Sequence, residues 1–400
     1  MTAEPDDRHP DAASAPRVEA AFDPVAAVDV RAAVLDRPGV PTRIEVLRLD
    51  PPGPGEVRVR MAAAGVCHSD LHVRDGEWER EGPIVLGHEG SAWVEALGEG
   101  VGEAFPGLRV GGLVALSWLI PCRDCRSCRA GRVWSCSASP SYTHRMPDGA
   151  AALHRAGPGG ADVLTYCAIG TFADRQNVPA AAAIPMPDGT PPDVAALIGC
   201  CVTTGVGATT KTAAVQPGST VVVIGLGGVG LSCVMGAALA GARQIVAVDR
   251  VASKLDLARA VGATDGIVAG VSATETLAAI LDLTDGGPDT CFEAIGLAST
   301  IELAIACLPT GGAACLVGMT PFGVRASFEP FPFVDGGRRI LGSNYGSADP
   351  AVDFPRYAGL HLAGRLPAGR LVTGRIGLDG LEDAFAAMRR GDGVRSIIEF

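Results

Sequence analysis

Val221-Val-Val-Ile-Gly225-Leu-Gly227-Gly228-Val229-Gly230 reads as a buried apolar strand that runs straight into Gly-x-Gly-x-x-Gly, followed by an apolar helix. Strand, glycine turn and helix in that order form a dinucleotide-binding unit. Gly225 permits the tight turn, Gly227 lets a pyrophosphate approach the backbone near Gly228 and Val229, and Gly230 lets helix and strand pack closely. The N–H groups at the start of the helix are ready donors to phosphate. Asp249 stands nineteen residues beyond Gly230, at the end of the next strand. A carboxylate there accepts hydrogen bonds from ribose hydroxyls and repels a 2′-phosphate, so NAD is expected over NADP; the adjacent Arg250 is the one feature that favours the phosphate.

Outward from the turn, apolar strands (Gln244 to Val248, Thr290 to Ala294, Ala313 to Val317) alternate with helical stretches (Leu231 to Ala242, Ala252 to Val261, Thr274 to Leu281, Thr300 to Ala306). This alternation predicts an α/β doubly wound parallel sheet over residues 202–343. From Val30 to Ile120 the pattern is instead short β-like runs broken by Gly and Pro, such as Glu56 to Met61 and Gly112 to Ser117, which predicts a β-rich unit. That unit is assigned residues 29–201 and 344–400, the second part closing with helices at Pro350 to Ala363 and Leu381 to Arg390 and a strand at Arg395 to Phe400. Residues 1–28 carry six acids against Arg8 and Arg17 and read as a disordered acidic tail.

The 400 residues are 48% hydrophobic and 19% charged with a net charge of −11, enough apolar content for two cores and too acidic for a phosphate backbone. Nucleic acid is excluded as a partner. Val221 to Ala242 is uncharged and long enough to span a membrane, but its glycines divide it into strand, turn and helix, so no membrane is expected. The first residues hold no basic stretch followed by an apolar one, which predicts a cytoplasmic protein whose twelve Cys bind metal or catalyse instead of forming disulfides.

Cys122, Cys125, Cys128 and Cys136 fall at intervals of three, three and eight. Four thiolates this close can close a tetrahedral shell with no position left for substrate, the signature of structural zinc; an iron–sulfur cluster is the competing reading. Arg123, Arg126, Arg129 and Arg132 in this lobe read as solvated charges. A second set is dispersed: Cys67-His68-Ser69-Asp70, then Gly87-His88-Glu89, then Cys200 with Cys201 beside it. Two thiolates and an imidazole provide three ligands with a fourth position open, as catalytic zinc requires.

Together these motifs resemble the zinc-dependent alcohol dehydrogenases of the medium-chain dehydrogenase/reductase superfamily, from about Val30 to Phe400. Cys67 to His72, Gly87 to Gly90, the cysteine lobe, Cys200 with Thr204-Gly205, the glycine turn and Val394 to Ile398 occur in the family's order. The resemblance implies a GroES-like catalytic domain beside a Rossmann domain, and two zinc ions per chain. It places the catalytic ion on Cys67, His88 and Cys200, with Cys201 as the alternative to Cys200 and Glu89 behind the metal, and the structural ion in the lobe at 122–136. Asp70 would fix the tautomer of His88. Ser69 would take the alcohol proton and pass it through the nicotinamide ribose to His72. His68 and Arg395 would meet the pyrophosphate and Lys254 the adenosine ribose, with Thr204 among the cofactor-binding residues.

The implied reaction is reversible NAD-linked oxidation of a primary alcohol to the aldehyde, through a zinc-bound alkoxide and hydride transfer, in a homodimer or tetramer. Family pocket positions fall on Trp78, Trp118, Tyr166, Cys167 and Met319, a lining suited to an aryl or bulky apolar alcohol. Relatives that oxidise the glutathione adduct of formaldehyde carry an acidic pocket residue, which Glu77 or Glu79 would supply, and an Arg shortly after the last lobe cysteine, where this chain has Ser-Ala-Ser-Pro-Ser. Two further readings are weaker. A zinc-independent reductase would lack catalytic ligands that are present, and a non-catalytic zinc-lobe binding protein would show a basic surface and no complete relay.

Overall fold

A computed structural model describes residues 25–157 and 160–400. Most of the predicted acidic tail lies outside the described residues, and its predicted end is corrected. The strand Val28–Leu35 begins at its last residue, and the buried Arg58 donates to the carbonyl of Ala26, fastening the chain ahead of that strand.

Among the described residues the strands form three sheets: a closed barrel, a seven-stranded sheet and a six-stranded sheet. The six-stranded sheet is parallel throughout. Numbered along the chain, its strands run 3-2-1-4-5-6, the order of a Rossmann fold, with the strand Thr220–Ile224 at the reversal point. Every residue of that strand is buried, as expected where helices cover both faces. Sequence patterning missed two strands here, Asp265–Val268 and Arg339–Gly342. Both lie at sheet edges and are half-exposed or exposed, so neither carries the continuous apolar run of a central strand.

The other two sheets make the β-rich unit. Its strand Glu56–Gly65 pairs with Gly90–Leu97 on one side and, at its end, with the C-terminal strand Arg395–Glu399. The chain thus returns from the Rossmann unit to complete the seven-stranded sheet, and this return places Arg395 beside Val66.

A helical run, Pro192–Thr212, links the two units and passes through the predicted junction at residue 201. Its apolar residues share one core with the first strand and helix of the Rossmann unit, so the boundary falls inside a packed element and not in a linker. It is the one helix among the described residues long and apolar enough to cross a membrane, and 83% of its most apolar stretch is buried inside the protein.

Candidate active site

Cys67 caps the helix His68–Asp75, and its N–H donates to Asp70 Oδ2 at 3.3 Å. The other carboxylate oxygen of Asp70 lies 3.0 Å from His88 Nδ1 and accepts the N–H of Gly87 at 3.1 Å. One buried carboxylate therefore orients both the cysteine turn and the histidine, leaving Nε2 as the free ring nitrogen of His88. Cys200 arrives from the linking helical run. That run presses so close to the sheet that a Cβ on Gly199 would stand 2.7 Å from the carbonyl of Leu116. Cys200 Sγ sits 3.4 Å from His88 Nε2, and the ligand atoms of Cys67, His88 and Cys200 all lie within 4.8 Å of one another, every one on a buried residue.

The electrostatics of this trio call for a cation. The hydrogen bond from Cys200, together with Arg395 and His88, holds the Cys67 thiol well below its ordinary pKa, while its nearness to Cys67 and its burial push Cys200 well above. Burial opposes charge on His88, but Asp70 and Cys67 outweigh it and raise that imidazole. Two thiolates side by side ionise together only when positive charge lies between them, and soft sulfur with imidazole nitrogen is the donor set of zinc. The residues fit a catalytic zinc.

Cys201 lies outside the trio; its Sγ donates to the carbonyl of Leu197 and its N–H to Glu89 Oε2 at 3.0 Å. Glu89, expected among the metal ligands, also lies outside it. Its oxygens are engaged by that N–H and by Arg395 Nε at 3.2 Å, and burial raises its pKa. Arg395 in turn donates to the carbonyl of Val66, and its guanidinium packs against Gly228 at the start of the glycine-turn helix.

In that turn a Cβ on Gly230 would collide at 1.7 Å with the carbonyl of Gly225, whereas a Cβ on Gly227 meets nothing within 4 Å. The first glycine contact is packing, and the open one is the cradle a pyrophosphate needs. The helix Gly228–Leu239 begins without a side-chain cap, which leaves its N–H donors for a ligand. Both carboxylate oxygens of Asp249 accept from backbone, from the N–H groups of Leu226 and Val251 at 2.8 and 2.9 Å, so it braces the turn. Arg250 is exposed and Lys254 half-exposed; the hydroxyl of the half-buried Thr204 donates to the carbonyl of Cys200 at 2.8 Å.

The four lobe cysteines converge as the spacing predicts. Their sulfur atoms lie within 4.8 Å of one another, and the N–H of Cys125 donates to Cys122 Sγ at 3.2 Å. Arg123, Arg126, Arg129 and Arg132 are exposed, as expected of solvated charges, and Arg123 also makes a bidentate pair with Asp349 at 2.6 and 2.7 Å that ties the lobe to the helix Pro350–Leu362.

Of the expected pocket residues, Tyr166 and Cys167 are buried, and the Tyr166 ring meets His88 edge-on at 5.7 Å. Cys167 holds a left-handed backbone, φ 55°, and its N–H donates to Nδ1 of His144, which burial and then Arg80 push down to about 4. Trp118 packs on Tyr345 at 4.3 Å. Trp78 is buried but stacks on His72 at 4.6 Å, and its Nε1 donates to the carbonyl of Thr320 across to the Rossmann unit. Met319 is 60% exposed and does not join these buried side chains. Ser69 is half-buried and His68 exposed. Glu77 is bonded to His72 Nδ1, and Glu79 is exposed. Sequence reading missed His144 and Tyr345, whose roles come from contacts between distant segments.

A GroES-like unit and a Rossmann unit with a buried Cys-His-Cys metal trio between them define a zinc-binding dehydrogenase. The chain matches the alcohol dehydrogenase GroES-like domain over residues 53–188 and the zinc-binding dehydrogenase domain over 228–360. It is 35% identical to an NDMA-dependent alcohol dehydrogenase of Amycolatopsis methanolica, covering 92% of this chain and 98% of that one. It is 34% identical to an S-(hydroxymethyl)glutathione dehydrogenase of Escherichia coli, covering 92% and 99%. The crystal structure of benzyl alcohol dehydrogenase from Acinetobacter calcoaceticus superposes with a TM-score of 0.86 at 32% identity, covering 93% and 99%. The chain belongs to the zinc alcohol dehydrogenase family of the medium-chain dehydrogenase/reductase superfamily.

Proposed function

We propose that this chain is an NAD-linked zinc alcohol dehydrogenase that reversibly oxidises a primary alcohol, of aryl or bulky apolar type, to its aldehyde. The observation that carries the reading is the buried Cys67, His88 and Cys200 trio joined through Glu89 and Arg395 to the glycine turn. Zinc held by the trio would acidify the alcohol hydroxyl, and NAD held at the glycine turn would take the hydride. Ser69, two residues after Cys67, takes the substrate proton. His72, three positions further on the same helix, is the next acceptor. Cys122, Cys125, Cys128 and Cys136 hold a second, structural zinc. Tyr166, Cys167 and Trp118 supply apolar and aromatic surface for the substrate.

Asp249 beside the glycine turn supports NAD over NADP. A second reading, oxidation of a thiol adduct of formaldehyde, is favoured by the likeness to the Escherichia coli S-(hydroxymethyl)glutathione dehydrogenase. Against it, Glu77 is engaged by His72 instead of standing free for substrate. The name of the Amycolatopsis relative adds the electron acceptor as a variable. We further propose a cytoplasmic homodimer without membrane or nucleic-acid partners. None of the twelve cysteines is paired in a disulfide, which supports a reducing compartment, and the exposed edge strand Arg339–Gly342, with the exposed Phe331 and Val334 a few residues before it in the chain, supports pairing of two copies.

The test is a panel of benzylic, allylic and aliphatic alcohols and S-hydroxymethylglutathione, each with NAD, NADP or NDMA as acceptor. Highest kcat/KM on benzylic alcohols with NAD is expected. Preference for ethanol overturns the pocket argument, and turnover with NDMA but not with added NAD overturns NAD as the hydride acceptor.

A further inference from the structure

His72 is held by a device that the relay itself does not require. It sits near the end of the helix His68–Asp75, which stops at Gly76 in a left-handed conformation, φ 85°. The chain then doubles back, so that the N–H groups of both Glu77 and Trp78 donate to the carbonyl of His72, at 2.9 and 3.2 Å. Three side chains consequently surround one imidazole. The Glu77 carboxylate bonds its Nδ1, Trp78 stacks on its face with 25° between the planes, and His68 meets it edge-on at 5.0 Å. Trp78 is itself fixed by its hydrogen bond to Thr320. Among the described residues Nε2 has no hydrogen bond. The His72 side chain is 12% exposed and that of Glu77 46%, so the ring is sheltered while its carboxylate partner reaches solvent.

We propose that Glu77 is a positioning residue for proton transfer, forming with His72 a carboxylate–imidazole pair that presents Nε2 as the acceptor; this rests on the Ser69 and His72 relay proposed above. A carboxylate on Nδ1 selects the tautomer with hydrogen there and a lone pair on Nε2. When a proton arrives, the Nε2–H bond forms as the donor's O–H bond breaks, the electron pair stays on the donor oxygen, and the imidazolium charge is paired with Glu77. The proton then leaves Nε2 for water, and no other group changes. A carboxylate that orients and stabilises a basic imidazole is the logic of the hydrolase triads, here built from a single helix end.

The experiment is a double-mutant cycle on the zinc- and cofactor-loaded enzyme with Glu77→Gln, Glu77→Asp, His72→Ala and His72→Ala/Glu77→Gln. Expected is a fall in kcat of about tenfold for Glu77→Gln with KM within about twofold, partial recovery in Glu77→Asp, and no further loss when Glu77→Gln is added to His72→Ala. Nitrogen NMR of the imidazole, assigned by its loss in His72→Ala, should show the Nδ1-protonated tautomer in the unaltered protein and a mixture in Glu77→Gln. Losses that multiply in the double mutant, or an unchanged kcat and tautomer in Glu77→Gln, overturn the pair. An unchanged kcat in His72→Ala overturns the relay beneath it instead.

Discussion

Glu89 Oε1 stands 3.2 Å from Arg395 Nε, and this buried ion pair joins the wall behind the metal trio to the first residue of the glycine-turn helix. One guanidinium therefore lies between the two halves of the site, with Glu89 on one side and Gly228 on the other. Arg395→Met should weaken NADH binding and, by leaving a buried carboxylate unpaired, cost about 3–5 kcal/mol of stability. Fluorescence titration and thermal melting measure both. Unchanged NADH affinity would remove Arg395 from the cofactor site.

The second and third glycines of the Gly-x-Gly-x-x-Gly motif, Gly227 and Gly230, should separate binding from packing. Gly230→Ala forces a contact at 1.7 Å on the Gly225 carbonyl and should destabilise the protein by about 1–3 kcal/mol. Gly227→Ala enters open space at an extended backbone, so its melting temperature should stay near that of the unaltered protein while NADH affinity falls. Equal melting temperatures for the two variants would contradict the packing assignment.

The helix that carries Ser69 and His72 is anchored by Arg74, which meets Asp75 at 2.9 Å and Glu382 at 2.7 Å, and by Arg389 on Asp75. Burial alone would raise both carboxyls; hydrogen bonds from Arg389 and Arg74 outweigh it for Asp75, and those from Arg74 and Thr42 for Glu382, so both are held below their ordinary values. A depressed carboxyl adds stability above its unfolded pKa, about 4, and loses it as the pH falls through the lower folded value. The melting-temperature gap between the unaltered protein and Asp75→Asn should therefore be full near pH 7 and narrow below about pH 4. A gap that widens on acidification would contradict the anchor.

Much of this was legible in the sequence because it is local. The glycine turn follows a strand of consecutive apolar residues, the lobe spacing lies within fifteen residues, and Asp70 is three positions from Cys67. The resemblance puts Cys200 ahead of Cys201, but the physical ground for that choice, the depth of the linking helical run set by the close approach at Gly199, is one no spacing reveals. The ion-pair partners of Glu89, Arg395 and Arg123 are not legible in the sequence for one reason. Each finds its partner through pairing of segments that are remote in the chain. Glu77 is a different case, because His72 and Glu77 are only five residues apart and Gly76 was the visible signal that the chain turns back between them.

Zinc content measured beside alcohol turnover tests the central claim most directly, in the unaltered protein, Cys200→Ala and Cys201→Ala. The account predicts about two zinc ions and activity in the unaltered chain, about one and no turnover in Cys200→Ala with NADH binding retained, and about two with activity in Cys201→Ala. Full zinc and full turnover in Cys200→Ala, or their loss in Cys201→Ala alone, would contradict it.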